Sequence, residues 1–224
     1  GLPDRDYYFS TDPSTLGIQA AYKKYLTTLF MLTGNDSAVA LTAANLVYDI
    51  DKKIAASHRT RVELRDVKAN YNKMAVADLV KQQPNIGWHQ FLNDLGAETD
   101  SIDVCQPAYY VKLNELLHTI NIEDWKVYLK AKSIDNFAGN LSKAFVDAQF
   151  EFSKVLSGQA MQKSRGETMA SEVDNLLGEA LGQLYVQKYF PESAKKRMLD
   201  LVNNVQKAYA ARIDKLEWMS DSTK

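Results

Sequence analysis

Residues 14–30, STLGIQAAYKKYLTTLF, carry the pattern that decides the fold. Apolar side chains recur there at steps of three and four residues, as at Ile18, Tyr22 and Leu26. An α-helix has about 3.6 residues per turn, so this spacing places them on one face of an amphipathic helix. The stretch therefore predicts a helix that packs one apolar face against the rest of the protein.

The same periodicity continues along most of the chain. Gly34 predicts the end of the first helix, and Asp36 or Ser37 predicts the N-cap of the second. We expect Gly139 or Ser133 to kink the longest of the later patterns. These helical patterns cover residues 39–54, 74–83, 88–95, 107–118, 123–156, 167–190 and 191–216.

Few stretches depart from helical periodicity. Residues 1–13 hold Pro3 and Pro13 and predict an extended lead-in. Ser101–Cys105 alternates weakly between polar and apolar residues and is the only plausible strand. The sequence thus predicts an all-α (mainly α) fold, in which residues 14–224 form a multi-helix, bundle-like lobe.

The last two helical patterns are expected to turn their apolar rows toward a core. Ser220 or Asp221 then predicts the N-cap of a further helix that the chain does not complete, which indicates truncation. The inward rows are Leu176, Leu177, Ala180, Leu181, Leu184 and Tyr185, and Met198, Leu201, Val202, Val205, Ala208, Tyr209, Ile213 and Leu216.

Charge is balanced along the chain, with 27 basic and 28 acidic residues and a net charge of −1. Such a balance gives no general attraction to nucleic acid or to an anionic membrane. No run of residues approaches the ~20 apolar positions that span a bilayer. The longest basic run, Lys195 to Arg197, lies in a helical pattern and predicts a solvated helix face.

The three histidines do not show the spacing of a zinc motif. A catalytic zinc takes three protein ligands, and His-Glu-x-x-His places two imidazoles one helical turn apart. His58 lies in a polar stretch and predicts a surface position, whereas His89 predicts a solvent-facing or packing position. Glu115 and His118 have the spacing used in di-iron bundles, but the second such motif is absent, so we expect a local surface pair. The sequence predicts no catalytic and no metal-binding residue.

A single cysteine, Cys105, excludes an internal disulfide and any cysteine-based zinc site. Because it lies beside Ile102 and Val104, we expect it to be a small buried hydrophobic residue. Neither a serine nucleophile elbow nor a glycine-rich phosphate loop is present. The aromatic residues are expected to pack in the core.

Five blocks, in order, resemble the neprilysin family of zinc metalloendopeptidases. Gly1–Tyr8 is similar to its Gly-Leu-Pro-x-Arg-Asp-Tyr-Tyr signature, and Gly182–Val186 to its Gly-x-Leu-Tyr-Val block. The other three are Arg65-Asp66 with Tyr71 to Met74, Pro107 to Leu113, and Leu216 to Met219 with Thr223-Lys224. The blocks run in order from the first residue to the last, so the resemblance covers the whole chain.

The resemblance implies the N-terminal, mostly helical part of a peptidase that hydrolyses internal peptide bonds of oligopeptides. In that family the zinc ligands, the glutamate base and the Asn-Ala-x-Tyr substrate stretch lie further along the sequence. We therefore expect a segment that caps or walls the substrate chamber, is inactive alone, and has its own C-terminal catalytic domain as partner. Zinc is expected in that missing domain, and the substrate-binding residues here are unknown.

Departures from the animal members indicate a bacterial relative. Gly166 stands where those members carry a cysteine, and one cysteine cannot supply their disulfide framework. The resemblance favours an extracytoplasmic site, periplasmic or cell-surface, over a cytoplasmic one.

An alternative is a free-standing helical module that binds a protein or peptide between amphipathic helices and has no enzymatic activity. If a catalytic domain is missing, apolar patches should be exposed near Trp218 and near Tyr7 and Tyr8.

Overall fold

The computed structural model describes all 224 residues, and the chain divides into two compact units, Gly1–Ala160 and Met161–Lys224. Helices dominate, with one two-stranded sheet, which confirms the predicted mainly α class. No helix is both long enough and apolar enough to cross a membrane.

The first unit contains nine helices and both strands. In chain order they are α1 (Asp6–Phe9), α2 (Pro13–Leu32), α3 (Ser37–Ala55), α4 (Val67–Asn70), β1 (Lys73–Ala75), α5 (Val76–Gln82), α6 (Trp88–Asp94), β2 (Ser101–Asp103), α7 (Pro107–Thr119), α8 (Ile122–Phe137) and α9 (Lys143–Ser157). The second unit contains α10 (Arg165–Tyr189) and α11 (Glu192–Ile213).

Helices α2 and α3 form the centre of the main core. Asp12 caps α2 by accepting a hydrogen bond from the Thr15 amide at 2.9 Å, and Asp36 caps α3, as predicted. Between them lie fully buried large side chains of α2, such as Leu29, opposite small ones of α3, such as Ala40 and Ala44. Small residues let the two helix axes approach closely, so the apolar face predicted from residues 14–30 is indeed buried.

The long helical pattern of residues 123–156 is divided near Gly139. Helix α8 ends at Phe137, a 3-10 turn covers Ala138–Asn140, and α9 then begins at Lys143. A Cβ atom at position 139 would lie 3.2 Å from Gln149 Oε1 of α9, so a glycine suits the close approach there. The kink predicted at Gly139 is thus a complete break.

Helix α9 packs against the main core through Phe152. Its ring stacks on Tyr25 of α2, with centroids 5.3 Å apart and planes at 8°. The break between α8 and α9 therefore gives two elements that each contact α2.

A small second core lies beneath the sheet. Strands β1 and β2 pair antiparallel, with Met74 opposite Ile102. Strand β2 lies within the predicted strand Ser101–Cys105, but Met74 and Ala75 of β1 fall in a stretch for which the pattern predicts a helix. Short apolar runs suit either structure, and only the partner strand decides between them. The core itself is made by Leu79, Trp88 and Val104.

Residues 1–13, predicted to be an extended lead-in, contain a short helix and contact the main core. Residues 6–9 form the one-turn helix α1, and Leu2 and Tyr8 are buried against the main core. The Tyr8 hydroxyl accepts a hydrogen bond from the Leu2 amide at 2.8 Å. The exposed patch predicted at Tyr7 and Tyr8 is therefore wrong, because both rings pack on this core.

In the second unit, α10 begins with a capping box. The Ser164 side chain accepts from the Glu167 amide while the Glu167 carboxylate accepts from the Ser164 amide. The helix bends at Leu177, whose φ and ψ of −123° and 16° are not helical. Pro191 then precedes α11, as predicted, and in residues 220–224 the Thr223 and Lys224 amides donate to the Ser220 carbonyl in a single turn.

The prediction of inward-facing rows in α10 and α11 is wrong. Neither helix contains a buried residue, and every residue of α11 from Lys195 to Arg212 is exposed. The periodicity correctly marked an apolar face, but nothing in the described unit covers that face.

Candidate functional site

The three histidines lie on different elements of the first unit. His58 follows α3 and is half-buried against Tyr109, with ring centroids 5.2 Å apart. Burial lowers the pKa of His58 below its ordinary value of 6.5. The predicted surface position of His58 is therefore wrong, whereas His89 on α6 is exposed to solvent as expected.

Glu115 and His118 form no metal-binding pair. Both are exposed on α7, and the Glu115 carboxylate accepts a hydrogen bond from Lys112 Nζ at 2.7 Å. This i,i+3 ion pair lies in solvent and contributes little to stability. The di-iron spacing in the sequence is thus a feature of the helix surface.

Cys105 is an exposed free thiol, and the prediction that it is buried is wrong. Alternation beyond β2 turns Val104 into the second core and Cys105 outward. Its sulfur lies 4.0 Å from Asp103 Oδ2.

Metal-ligating side chains do not converge anywhere in the structure. No group of three His, Cys, Asp or Glu residues lies close enough to hold an ion. Two buried polar atoms lack partners, Arg5 Nε and Trp125 Nε1. Both are hydrogen-bond donors, so neither could bind a cation.

The most organised polar cluster surrounds Asp51, which is 7 % exposed on the inner face of α3. Lys132 Nζ of α8 lies 2.8 Å from each of its carboxylate oxygens. Oδ2 also accepts from the Tyr22 hydroxyl at 2.7 Å, and Oδ1 from the Tyr128 hydroxyl at 2.9 Å. Each oxygen thus accepts a hydrogen bond from one tyrosine hydroxyl and pairs with the Lys132 ammonium group.

The Asp51 cluster connects α2, α3 and α8, and both oxygens of its buried carboxylate already have protein partners. A buried charge that is fully paired stabilises one packing arrangement, whereas an unpaired one would cost several kcal/mol. Its role is therefore structural. The sequence carried a signal for it, since Asp51 falls four residues after the buried Val47 on the same helix face.

The tyrosines around this cluster are held in the neutral form. Burial, followed by the negative charge of Asp51, raises the pKa of Tyr22, Tyr128 and Tyr8 well above the ordinary value of 10.0. None of these hydroxyls could act as a base at neutral pH.

Many exposed apolar side chains lie on α10 and α11. Apolar side chains recur along α11 at Met198, Leu201, Val202, Val205 and Tyr209, each between 46 and 63 % exposed. Such a row is typical of a helix that binds a partner. The periodicity of the sequence predicts this apolar row, but as part of a buried core.

The fold and its side chains define a class, a mainly helical domain that has a fully paired ionic core and an exposed apolar helix face. The model of the N-terminal region of peptidase family M13 matches residues 1–224. The chain belongs to this family, and the resemblance seen in the sequence is confirmed.

Individual relatives agree with this assignment. Over 100% of its length, the chain is 22% identical to the mouse protein membrane metallo-endopeptidase-like 1 and 25% identical to the neutral endopeptidase of Lactobacillus helveticus. It covers 31% and 34% of those proteins. The inhibitor complex of the zinc metalloprotease Zmp1 of Mycobacterium tuberculosis is similar in structure, with a TM-score of 0.86 and 33% identity. That match covers 100% of this chain and 34% of the Zmp1 chain. The chain thus spans about a third of the length of these relatives.

Proposed function

We propose that this chain is the N-terminal helical portion of a zinc metalloendopeptidase that hydrolyses oligopeptides. The observation that carries the proposal is the family match over all 224 residues, together with the structural similarity to a zinc metalloprotease. Residues 14–224 would form a lobe that caps or walls the substrate chamber, and residues 1–13 would lead into it. The partners would be the C-terminal catalytic domain and a peptide substrate.

The residues present do not fit a zinc site. The histidines lie after α3, on α6 and on α7, and no three ligating side chains converge. Zinc would be held by residues outside Gly1–Lys224, where it would polarise the peptide carbonyl and activate a water molecule. We propose that no residue of this chain is a zinc ligand or a catalytic group.

The compartment of the whole enzyme follows by analogy. One relative is named a membrane metallo-endopeptidase-like protein, and others are bacterial. We infer a bacterial enzyme that acts outside the cytoplasm.

A free-standing binding module is not favoured as an alternative. The family match extends from the first residue to the last, which a helical module of unrelated origin would not show.

The test is a zinc measurement and a peptide-cleavage assay on the purified chain. After incubation with zinc and gel filtration, we expect no stoichiometric zinc and no turnover of a mixed oligopeptide substrate. The complete parent protein, treated in the same way, should hold zinc and cleave the mixture. One zinc per 224-residue chain, with turnover that a chelator abolishes, would overturn the proposal.

A further inference from the structure

Residues 59–119 of the first unit form a module around the second core. Tyr110 of α7 packs on Trp88 of that core, with ring centroids 5.0 Å apart. The Asn85 amide donates a hydrogen bond to Asn114 Oδ1 of α7 at 2.8 Å. Helix α7 therefore packs with strands β1 and β2 and helices α5 and α6 as one body.

This module meets the main core where helix α3 ends. Ala55, the last residue of α3, is buried in the main core, and His58 follows it three residues later. The His58 ring lies against Tyr109 of α7, with centroids 5.2 Å apart, and both rings are half-buried. The Arg59 amide donates to Gln106 Oε1 at 2.9 Å, which holds the start of the module beside the start of α7. Helices α3 and α7 contact each other as well, so the two rings are part of the joint between the module and the main core.

An ion pair also links the module to the main core, but it is weak. Arg61 Nε lies 3.3 Å from Asp4 Oδ2, and the Arg61 side chain is 74 % exposed. Exposed ion pairs contribute little to stability and are screened by salt. The chain itself passes between the module and the main core only after His58 and between α7 and α8. Such an attachment permits the module to move as a unit.

The surroundings of His58 disfavour a positive charge. Burial alone lowers the pKa of its imidazole below the ordinary value of 6.5. Tyr109 faces it from α7 as a neutral phenol, because burial raises the pKa of the Tyr109 hydroxyl. Lys52 and Lys53 lie in the last turn of α3, and Arg59 follows His58 directly, so these flanking charges are basic.

Carboxylates of the neighbouring segments already have partners. Glu63 accepts hydrogen bonds from the Thr60 amide and hydroxyl, Asp4 pairs with Arg61, and Glu115 of α7 pairs with Lys112. A protonated His58 would therefore lack an anionic partner and would gain more from contact with water than from its half-buried site.

We propose that His58 and Tyr109 form an acid-sensitive latch, which holds residues 59–119 against α3 when the imidazole is neutral and releases them as one body when it is protonated. Because the latched state lowers the pKa of His58, the contribution of the latch is complete above the ordinary value of 6.5. As the pH falls from there to the lowered pKa, the ratio of released to latched molecules should rise by up to about tenfold per pH unit. Release of the module is independent of the proposed peptidase function.

Spin-label distances in the 224-residue chain test the latch. With Cys105→Ser as background, labels at Lys24→Cys of α2 and Asn93→Cys of α6 report the separation of the module and the main core, since both positions are exposed. At about pH 7.5 we expect one distance, and at about pH 5 a second population at a different distance. Labels at Lys24→Cys and Lys130→Cys of α8, both on the main core, should give the same distance at both pH values.

Two variants assign the effect to His58. His58→Gln keeps a neutral polar side chain and should remove the pH-dependent population. The matched control His89→Gln, at an exposed histidine of the same module, should retain it. If His58→Gln does not fold, nuclear magnetic resonance of the unsubstituted chain still measures the titration of His58, whose pKa should be below the ordinary value of 6.5.

Four outcomes would overturn the proposal. The first is a distance between positions 24 and 93 that does not change with pH. The second is an equal change in His58→Gln and His89→Gln. The third is a change of the same size between positions 24 and 130, which would indicate general unfolding. The fourth is a titration of His58 at or above its ordinary pKa. A parent protein without zinc or peptidase activity would refute the proposed function and leave all four measurements intact.

Discussion

The two units of this chain use the same helical pattern with opposite results. In Gly1–Ala160, the apolar faces of α2 and α3 meet, and residues such as Leu29 are fully buried. In Met161–Lys224, rows with the same spacing leave Leu184 at 64 % exposed. The difference teaches that periodicity identifies the face a helix will bury, whereas the identity of the covering surface depends on tertiary partners.

The units differ in electrostatics as well. The first contains a buried carboxylate, Asp51, whose hydrogen bonds join three helices. The second contains the capping box of Ser164 and Glu167, which satisfies the start of one helix only. We expect perturbations of the first unit to be large and cooperative, and those of the second to be small and local.

High pH should have the largest effect. The folded-state pKa values of Tyr8, Tyr22 and Tyr128 are raised, so their contribution is complete below the unfolded value of 10.0 and is lost as pH rises above it. For each of these three tyrosines, the free energy of unfolding should fall by about 1.4 kcal/mol with every pH unit above that value. Denaturant unfolding at increasing pH measures this loss, and Tyr22→Phe should reduce its slope. An equal slope in the Tyr22→Phe variant and in the unsubstituted chain would contradict it.

Removal of the buried carboxylate should have the next largest effect. Asp51→Ala leaves Lys132 and two tyrosine hydroxyls without their acceptor, which should lower the free energy of unfolding by about 3–5 kcal/mol. Asp49→Ala, on the exposed side of the same helix, is the matched control and should change it by less than about 0.5 kcal/mol. Equal effects in thermal denaturation would show that the cluster is not structural.

A pair of leucine truncations compares the units directly. Leu29→Ala creates a cavity in the main core and should cost about 2–5 kcal/mol. Leu184→Ala removes a side chain that is mostly in solvent, so in this chain it should cost less than about 0.5 kcal/mol. Comparable losses in chemical denaturation would mean that Leu184 is buried in solution.

Loss of helix caps should give the smallest effects. Asp36→Ala should destabilise the first unit by about 1 kcal/mol, because two amides of α3 lose their acceptor. Ser164→Ala should lower the helical circular dichroism signal and leave the unfolding midpoint of the first unit unchanged. A shift of that midpoint by Ser164→Ala would indicate that the two units unfold together.

Much of this structure was predictable from local patterns. Asp36, Gly34 and Pro191 marked helix ends because capping and backbone geometry are properties of adjacent residues. Strand β1 was missed because a three-residue strand depends on a partner 28 positions away, as Met74 does on Ile102. The prediction that α10 and α11 bury their apolar rows was wrong for the same reason, because burial depends on tertiary contacts that the pattern does not specify.

The positions of candidate functional side chains were likewise only partly predictable from local patterns. Spacing excluded a His-Glu-x-x-His motif, and His58, His89 and His118 lie on separate elements of the structure. Asp51 was overlooked, although its place on an apolar face was visible. The exposure of Cys105 depended on where β2 ends, and Ile102 and Val104 suggested the opposite.

The coding sequence downstream of Lys224 tests the central claim most directly. If this chain is the helical portion of a zinc metalloendopeptidase, the reading frame continues and encodes an Asn-Ala-x-Tyr stretch and then a His-Glu-x-x-His motif, which supplies two zinc ligands and a glutamate base. A reading frame that closes without that motif would contradict the account, and this chain would then be a helical protein that has lost the peptidase chemistry.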